Sequence, residues 1–248
     1  MKKFNIIWVL ALFSCLAESV FALSGNEILQ RAEDTINAPK DQTIQQTMTL
    51  IKADRSEKNR TLMFYQKGSE QRLIVFLSPA DIKGVGFLSL PEDRRYLYMP
   101  AFRKIRRIAS HIKNEDFVGT DFSYEDLSET KFTEDYTATS EKSEANRYVL
   151  VLRPRPEADV SYSKQRVWVD KETFLPVKKE YYSKTGNLIK VLESENIKEV
   201  DGYWIAMKIS METLRTGHRT ILVMTEIKYD TGLRDRFFTT RNLKKLSR

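Results

Sequence analysis

Asp121, Glu125 and Asp126 form the only compact group of acidic residues beside aromatic ones. Two carboxyl groups in one site are able to perform acid–base catalysis. A catalytic site also needs further convergent groups, and the sequence does not provide them. We therefore expect structural roles, in which Asp121 caps a short helical turn, Phe122 packs inward, and basic residues of the 103–107 segment pair with the acids.

No other residue pattern indicates a catalytic or cofactor site. The only two histidines, His111 and His218, lie in predicted connections, and no spacing typical of a zinc site surrounds them. The chain has no nucleophile elbow and no phosphate-binding loop. The short Gly84-Val85-Gly86 stretch is typical of a turn or a hinge. We expect no cofactor, no metal ion and no enzymatic activity, and a hydrolase using Asp121 or Glu125 is the weakest alternative.

The first 22 residues have the pattern of a secretory signal peptide. Lys2 and Lys3 precede an apolar stretch over residues 4–17, and small residues follow near Ala22. The stretch is shorter than the roughly 20 residues that span a bilayer. The pattern predicts a mature domain over residues 23–248, exported to the periplasm. ATP-driven chemistry, NAD-driven chemistry and nucleic-acid binding are not expected there.

Cys15 is the only cysteine, and it lies inside the apolar stretch. Cleavage after Ala22 removes it, which leaves no disulfide and no thiolate nucleophile. In the less favoured alternative, residues 12–15 form a lipobox and Cys15 stays as a lipid anchor. The predicted mature chain has 39 basic and 33 acidic residues. This excess favours contact with anionic lipid or an acidic protein surface, and a soluble surface of mixed charge explains it equally well.

The chain is predicted to be mainly β-structure after one helix. Ser24 and Glu27 form a capping box, and apolar residues at helical spacing predict a helix over residues 25–37. Residue alternation and turn signals then predict these strands: 43–52, 61–66, 71–77, 86–90, 96–99, 147–152, 165–169, 177–182, 188–197, 203–213 and 220–229. Short connections between many strands favour a meandering antiparallel sheet.

The strands alternate between an apolar and a polar face, as in a sheet with one dry side. One helix is too small to cover that side, so the sheet must curl, and a curled sheet of this size is able to keep a hollow. A fully packed core is the alternative. The predicted wall of the hollow consists of Met48, Leu50, Leu62, Phe64, Leu73, Val75, Tyr203, Ile205, Met207, Ile209, Met211, Ile221 and Val223.

Three long phrases carry a family resemblance. They are FLSPADIKGVGFL at 76–88, YLYMPAFRKIRRI at 96–108 and FVGTDFSYEDL at 117–127. With Trp168-Val-Asp170, Leu175-Pro176 and Phe237-Phe238-Thr239, they resemble the LolA-like outer-membrane lipoprotein-sorting proteins of the LolA/LolB superfamily. The resemblance covers the mature chain.

The resemblance implies a curved antiparallel half-barrel, a mainly β (α+β) fold closed by the N-terminal helix and short lid helices. It also implies a lipid or lipoprotein acyl chain as cargo and an inner-membrane RND-type exporter as a partner. We separately expect the protein to be a monomer. The candidate lid residues are Phe87, Leu88, Phe102, Phe117 and Phe122.

Four basic residues within five positions, Arg103, Lys104, Arg106 and Arg107, are the candidate docking site. They suit anionic headgroups or a membrane partner. Charge that protects an edge strand from self-pairing is an equally good explanation. The leading hypothesis is a periplasmic carrier of acyl chains, and the second is a sensor or adaptor that assists an RND-type transporter without carrying cargo.

Overall fold

The computed structural model describes residues 23–128, 131–141 and 143–247. The predicted signal peptide and Cys15 lie outside these residues. Helix α1, Gly25–Ile36, begins with the predicted capping box, in which Ser24 accepts from the Glu27 amide and Glu27 accepts from the Ser24 amide. A Cβ atom on Gly25 would lie 2.5 Å from the carbonyl oxygen of Ala138. The helix therefore begins in direct contact with a strand more than 100 residues later.

The strands form one antiparallel sheet, which is the predicted fold class. Its edges are the sixth and seventh strands, and the first strand pairs with the last, so the order is β6-β5-β4-β3-β2-β1-β13-β12-β11-β10-β9-β8-β7. The strands are β1 Asp41–Ile51, β2 Glu57–Lys67, β3 Gln71–Ser78, β4 Gly86–Leu90, β5 Arg94–Met99, β6 Lys104–Ile108, β7 Tyr136–Ser140, β8 Arg147–Pro154, β9 Lys164–Asp170, β10 Pro176–Tyr182, β11 Leu188–Val200, β12 Tyr203–Thr213 and β13 His218–Tyr229. The described residues contain two further α-helices, α2 Phe132–Asp135 and α3 Thr240–Leu246, and several short 3₁₀ turns.

The sheet is strongly curved. Ile74 on β3 and Lys179 on β10 line the same cavity, although six strand-to-strand steps separate them. In a flat sheet those steps would place the two strands about 29 Å apart. The open edges and the curvature together give an unclosed half-barrel with an inner and an outer face.

Strands β3 and β4 are covered on both faces, which corrects the predicted wall at Leu73 and Val75 and the predicted lid at Leu88. Leu73, Val75 and Leu88 are buried on the outer face beneath Leu243 of α3. The inner face of β3 carries Ile74 instead. Because residues 72–76 are all buried, the alternation that sets the face is absent from this part of the sequence.

A β-bulge in β13 corrects a second part of the wall. Gln45 pairs with Glu226 and Gln46 pairs with Met224, so Thr225 is the extra residue. The bulge exchanges the two faces of the strand at this point. Ile227 packs against the inner core, whereas Val223, before the bulge, is 40% exposed. Ile221 and Val223 therefore belong to the outer face, and Leu222 and Met224 belong to the wall.

The basic segment forms edge strand β6, in agreement with the edge-strand explanation of its charge. The preceding Phe102 is 59% exposed, so it belongs to neither the wall nor a lid. It lies in a 3₁₀ turn, Pro100–Phe102, that leads into the edge strand. The short edge strand β7 was not among the predicted strands, because its only buried residues are Tyr136 and Ala138, and Thr and Ser occupy all of its exposed positions.

Candidate functional site

The inner face of the half-barrel surrounds a cavity of about 290 Å³. This volume is at the lower end of the range for small-molecule sites, which is roughly 300–1,000 Å³. Strands from both halves of the sheet contribute its wall. Its apolar lining includes Ile44, Met48, Leu62, Phe64, Ile74, Phe117, Phe122, Ile205, Ile209, Leu222 and Met224.

The cavity is not filled by its own side chains. Phe64, Leu192, Ile205 and Ile209 all pack against the main hydrophobic cluster, yet each keeps part of its surface accessible. In a packed protein interior such residues would be covered by their neighbours. An apolar wall with accessible surface is able to bind an apolar ligand without any displacement of the core.

The segment over residues 109–128, which connects β6 toward α2, lies across the cavity. Asp121 attaches it to the far wall, because its carboxylate accepts from Thr213 Oγ1 at 2.6 Å and from Thr220 Oγ1 at 2.7 Å, and lies 2.7 Å from His218 Nδ1. Lys190 Nζ donates to the Asp121 carbonyl at 2.7 Å. Asp121 is thus a clamp between the segment and strands β11 to β13, and it does not cap a helical turn as expected.

Aromatic contacts attach the same segment to the near wall. The Phe117 ring lies 5.8 Å from Phe76 on β3 and 5.5 Å from Phe87 on β4, and Tyr124 lies 5.6 Å from Phe117. Arg60 of β2 donates to the Val118 carbonyl at 2.9 Å. The segment is therefore held on both sides of the cavity, with Phe117 and Phe122 in the lining. Phe87 lies in a strand and supports this segment from below.

The remaining acids of the segment have basic partners other than the expected ones. Glu125 lies 3.9 Å from Lys113 Nζ and accepts from the amide and hydroxyl of Ser161. Asp126 lies 3.6 Å from Lys190 Nζ and accepts from Tyr162. The basic edge strand takes no part in these ion pairs, which corrects the sequence-based expectation.

Burial changes the proton affinity of these groups. It raises the pKa of Glu125, against the opposing effects of the Ser161 hydrogen bonds and of Lys113. The pKa of Tyr162 is raised well above its ordinary value, mainly by burial and also by the neighbouring charge of Asp126. Tyr162 therefore stays a neutral donor. The arrangement is a network of satisfied donors and acceptors and has the character of a structural clamp.

Lys179 of β10 differs from the other basic residues of the interior. It is only 9% exposed, and it lines both the large cavity and a second cavity of about 190 Å³. Its Nζ lies 3.8 Å from the centre of the Phe132 ring. Burial lowers the pKa of this amine to about 7, although the charge of Asp126 opposes the shift. A buried amine therefore marks the junction of the two cavities.

The structure brings only part of the predicted wall together. Met48, Leu62, Phe64, Phe122, Ile205 and Ile209 line the large cavity, and Met211 lines the smaller one. Leu50, Phe87 and Met207 lie in the adjoining hydrophobic cluster. Tyr203 lies at the end of β12, where its hydroxyl donates to Asp230 at 2.6 Å. Five predicted residues lie outside the cavity, either on the outer face of the sheet or in the turn before β6: Leu73, Val75, Phe102, Ile221 and Val223. Ligand contact at all of these positions stays a prediction.

Sequence reasoning missed several of the residues that line the large cavity. Ile74 was missed because β3 is buried on both faces. Leu222 and Met224 were missed because the bulge exchanges the faces of β13. Gln46 lies on the inner face of β1 and is buried, although its polarity indicates the opposite face. Lys179 alternates with Tyr181, and that alternation is the one sequence signal that could have placed it inside.

Within the described ranges, no three His, Cys, Asp or Glu side chains are arranged to hold a metal ion. In the same part of the chain, no helix is both long and apolar enough to cross a membrane.

Comparisons with known proteins give consistent matches. A family model described as that of an uncharacterized protein matches residues 68–245, and no curated protein matches the chain. A putative outer membrane lipoprotein-sorting protein domain from Vibrio parahaemolyticus is 32% identical, with a TM-score of 0.80 over 89% of this chain and 98% of that one. A DUF1329 family protein from Desulfovibrio piger is 28% identical, with a TM-score of 0.83 over 88% of this chain and 97% of that one. A LolA superfamily protein from Nitrosomonas europaea has the same fold at 24% identity, with a TM-score of 0.75 over 89% of this chain and 99% of that one.

Proposed function

Because the chain belongs to the LolA-like family of outer-membrane lipoprotein-sorting proteins, we propose that it binds a lipid or lipoprotein acyl chain in the cavity of the half-barrel. The protein then carries this cargo through the periplasm toward the outer membrane, without performing a reaction on it. The observation that carries the proposal is the incompletely filled apolar wall beneath the 109–128 segment.

The energetics of acyl-chain burial support this function. Each buried methylene contributes about 0.8 kcal/mol. Eight buried methylenes would therefore contribute about 6 kcal/mol, which corresponds to a dissociation constant in the range of tens of micromolar. Such binding needs a dry and adaptable wall, which Met48, Met224 and the aliphatic residues around them provide. It does not need a catalytic motif.

Location in the periplasm rests on the predicted signal peptide and on the family. Cleavage after Ala22 would release a freely diffusing carrier. A lipid anchor on Cys15 would instead keep the protein at a membrane. Mass spectrometry of the mature N-terminus distinguishes the two products, because only the anchored form retains residues 15–22 and an added lipid.

The first experiment is native mass spectrometry of protein purified from the periplasm, with lipid extraction from the same sample. The expected result is a co-purifying lipid or acylated peptide that a fluorescent fatty acid displaces. Protein that is empty and also fails to take up the fluorescent fatty acid would contradict the carrier function.

A second function, that of an adaptor for an RND-type exporter, is favoured by the basic edge strand. Arg103, Lys104, Arg106 and Arg107 have no ion-pair partner among the described residues, and the exposed Phe102 lies beside them. An open strand edge with this charge suits a membrane-associated partner.

The charge-reversed double variant Arg106→Glu, Arg107→Glu separates the two functions. A carrier keeps its affinity for the fluorescent fatty acid and its export of cargo. If the protein is an adaptor without cargo, the variant should no longer co-purify with the exporter, and the exporter-dependent phenotype should be lost. In that case neither the wild-type protein nor the variant should bind the fatty acid.

A further inference from the structure

Two polar side chains on the inner face of β10 have no hydrogen-bond partner in the described structure. Lys179 and Tyr181 alternate on the strand, so they lie on the same face about 7 Å apart along it. Lys179 is 9% exposed and Tyr181 is 5% exposed. The lysine contacts the ring of Phe132, and the tyrosine ring lies 4.8 Å from that of Tyr162. Neither contact satisfies the ammonium or the hydroxyl group.

A buried cation without an ion pair destabilises a protein unless another group compensates for its charge. Asp126 is the acid whose charge acts on Lys179, and it already accepts from Tyr162 and the Ser123 amide and lies beside Lys190. Its charge is thus shared with a different lysine. The amine of Lys179 remains available for a group that the cavity binds.

The two cavities that meet at Lys179 differ in character. The larger one has mainly apolar walls, whereas the smaller one is lined by several polar groups, including Gln165 and Tyr136. The charged groups that line them are Arg72, Glu125, Asp126, Lys131, Asp135 and Lys179. Glu125 is bound by Ser161 and Lys113, Arg72 donates to the Ser128 carbonyl, and Lys131 lies 2.6 Å from Glu70. Asp135 is half-buried, and burial raises its pKa, with Asp93 and Glu134 acting in the same direction.

We propose that the cavity selects a single-chain amphiphile with an anionic end, a carboxylate or a phosphate monoester, and that Lys179 and Tyr181 bind this end. The alkyl chain occupies the larger cavity, and the headgroup lies at its junction with the smaller one. This inference rests on the proposed acyl-binding function and names the ligand class for the same site. Tyr181 is suited to the role of donor, because burial raises its pKa well above the ordinary value and keeps the hydroxyl neutral.

The test compares three ligands with the same hexadecyl-length chain and different ends. Palmitate carries a carboxylate, hexadecyl phosphate carries a phosphate monoester, and hexadecanol is neutral. Affinities are measured by displacement of a fluorescent fatty acid from the full mature chain, below the micelle concentration of each ligand. The expected result is that at least one anion binds about 10- to 100-fold more tightly than hexadecanol, as charge-assisted hydrogen bonds predict. Which of the two anions binds more tightly distinguishes a fatty acid from a phosphorylated lipid as the source.

Three variants assign the preference to these side chains. In Lys179→Met the ratio of anion affinity to hexadecanol affinity should fall to about one, and in Tyr181→Phe the ratio should fall several-fold. Lys178→Met is the matched control, since Lys178 is the neighbouring residue of β10 and contacts Trp168 and Glu180. It should keep the wild-type preference.

Equal affinity for all three ligands would overturn the inference and leave the acyl-binding function standing. An anion preference that survives in Lys179→Met would overturn it as well. Failure of all three ligands to bind the wild-type protein would overturn both the inference and the proposed function.

Discussion

The residue that best separates stability from function is Lys179. Most charged residues of the interior have partners that compensate for burial, as Lys190 does with Asp116 and Asp126. Lys179 instead contacts the aromatic ring of Phe132, and burial lowers its pKa to about 7. We expect such a side chain to lower the stability of the protein without a ligand and to find its partner in a bound ligand.

Replacement of Lys179 by methionine should increase the free energy of unfolding at pH 7 by roughly 1–4 kcal/mol, because methionine has no charge to desolvate. The free energy of unfolding of the wild-type protein should also depend on pH in a defined direction. Between pH 7 and 10.5 the unfolded chain binds a proton that the folded chain has released, so stability rises with pH in this window. Urea unfolding from pH 6 to pH 10 measures both effects.

For Lys179→Met the free energy of unfolding should depend less on pH over the same range. Lys178→Met should keep the pH dependence of the wild-type protein. A Lys179→Met protein that is less stable than wild type at pH 7 would show that the ammonium has a stabilising partner in the fold.

At the scale of elements, the bulge at Thr225 decides which face of β13 forms the wall. Leu222 is 7% exposed, whereas Val223 is 40% exposed. Leu222→Glu should destabilise the protein by about 3 kcal/mol and abolish uptake of a fluorescent fatty acid, because the carboxylate would enter an apolar wall. Val223→Glu should change stability by less than about 1 kcal/mol and leave uptake intact. If Val223→Glu lost more stability and fatty-acid uptake than Leu222→Glu, the bulge would have to lie at another position in β13.

The C-terminal helix α3 depends on a close approach between two backbones. A Cβ atom on Gly84, where φ is +78°, would lie 2.3 Å from the carbonyl oxygen of Ser247. Gly186 has a similar φ of +83° but no neighbouring atom within 4 Å of the same position. Gly84→Ala should therefore destabilise the protein more than Gly186→Ala, by about 1–3 kcal/mol.

Hydrogen exchange provides the local readout for this pair of variants. Gly84→Ala should increase exchange in α3 and expose Leu73 and Val75 beneath it, and Gly186→Ala should not. Equal effects of the two variants would mean that the positive φ alone, and not the contact with α3, requires glycine at position 84.

For the whole molecule, the sequence was sufficient for the class of fold and insufficient for the details of the cavity. The capping box at Ser24 and the alternation in β12 are local signals, and each places its element within about a residue. The face of β3 and the bulge in β13 depend on contacts with distant parts of the chain. The clamp at Asp121 joins residues that are more than 90 positions apart, so no local pattern could predict it.

Occupation of the cavity should stabilise the molecule as a unit, since its wall includes strands from both halves of the sheet. Fatty acid at 100 times its dissociation constant should add about 2.7 kcal/mol to the free energy of unfolding. For a chain of this size that increase should raise the melting temperature by roughly 5–10 °C. Differential scanning fluorimetry with octanoate, laurate and palmitate measures the effect.

Affinity should rise about four-fold for each added methylene as long as the chain continues to enter the cavity. Beyond the length that fills the cavity, further methylenes extend into solvent, and the gain should stop. The chain length at which the series levels off therefore measures the depth of the site. A shift that does not depend on chain length would mean that the fatty acid binds at the charged surface, and the basic edge strand would then be the relevant site.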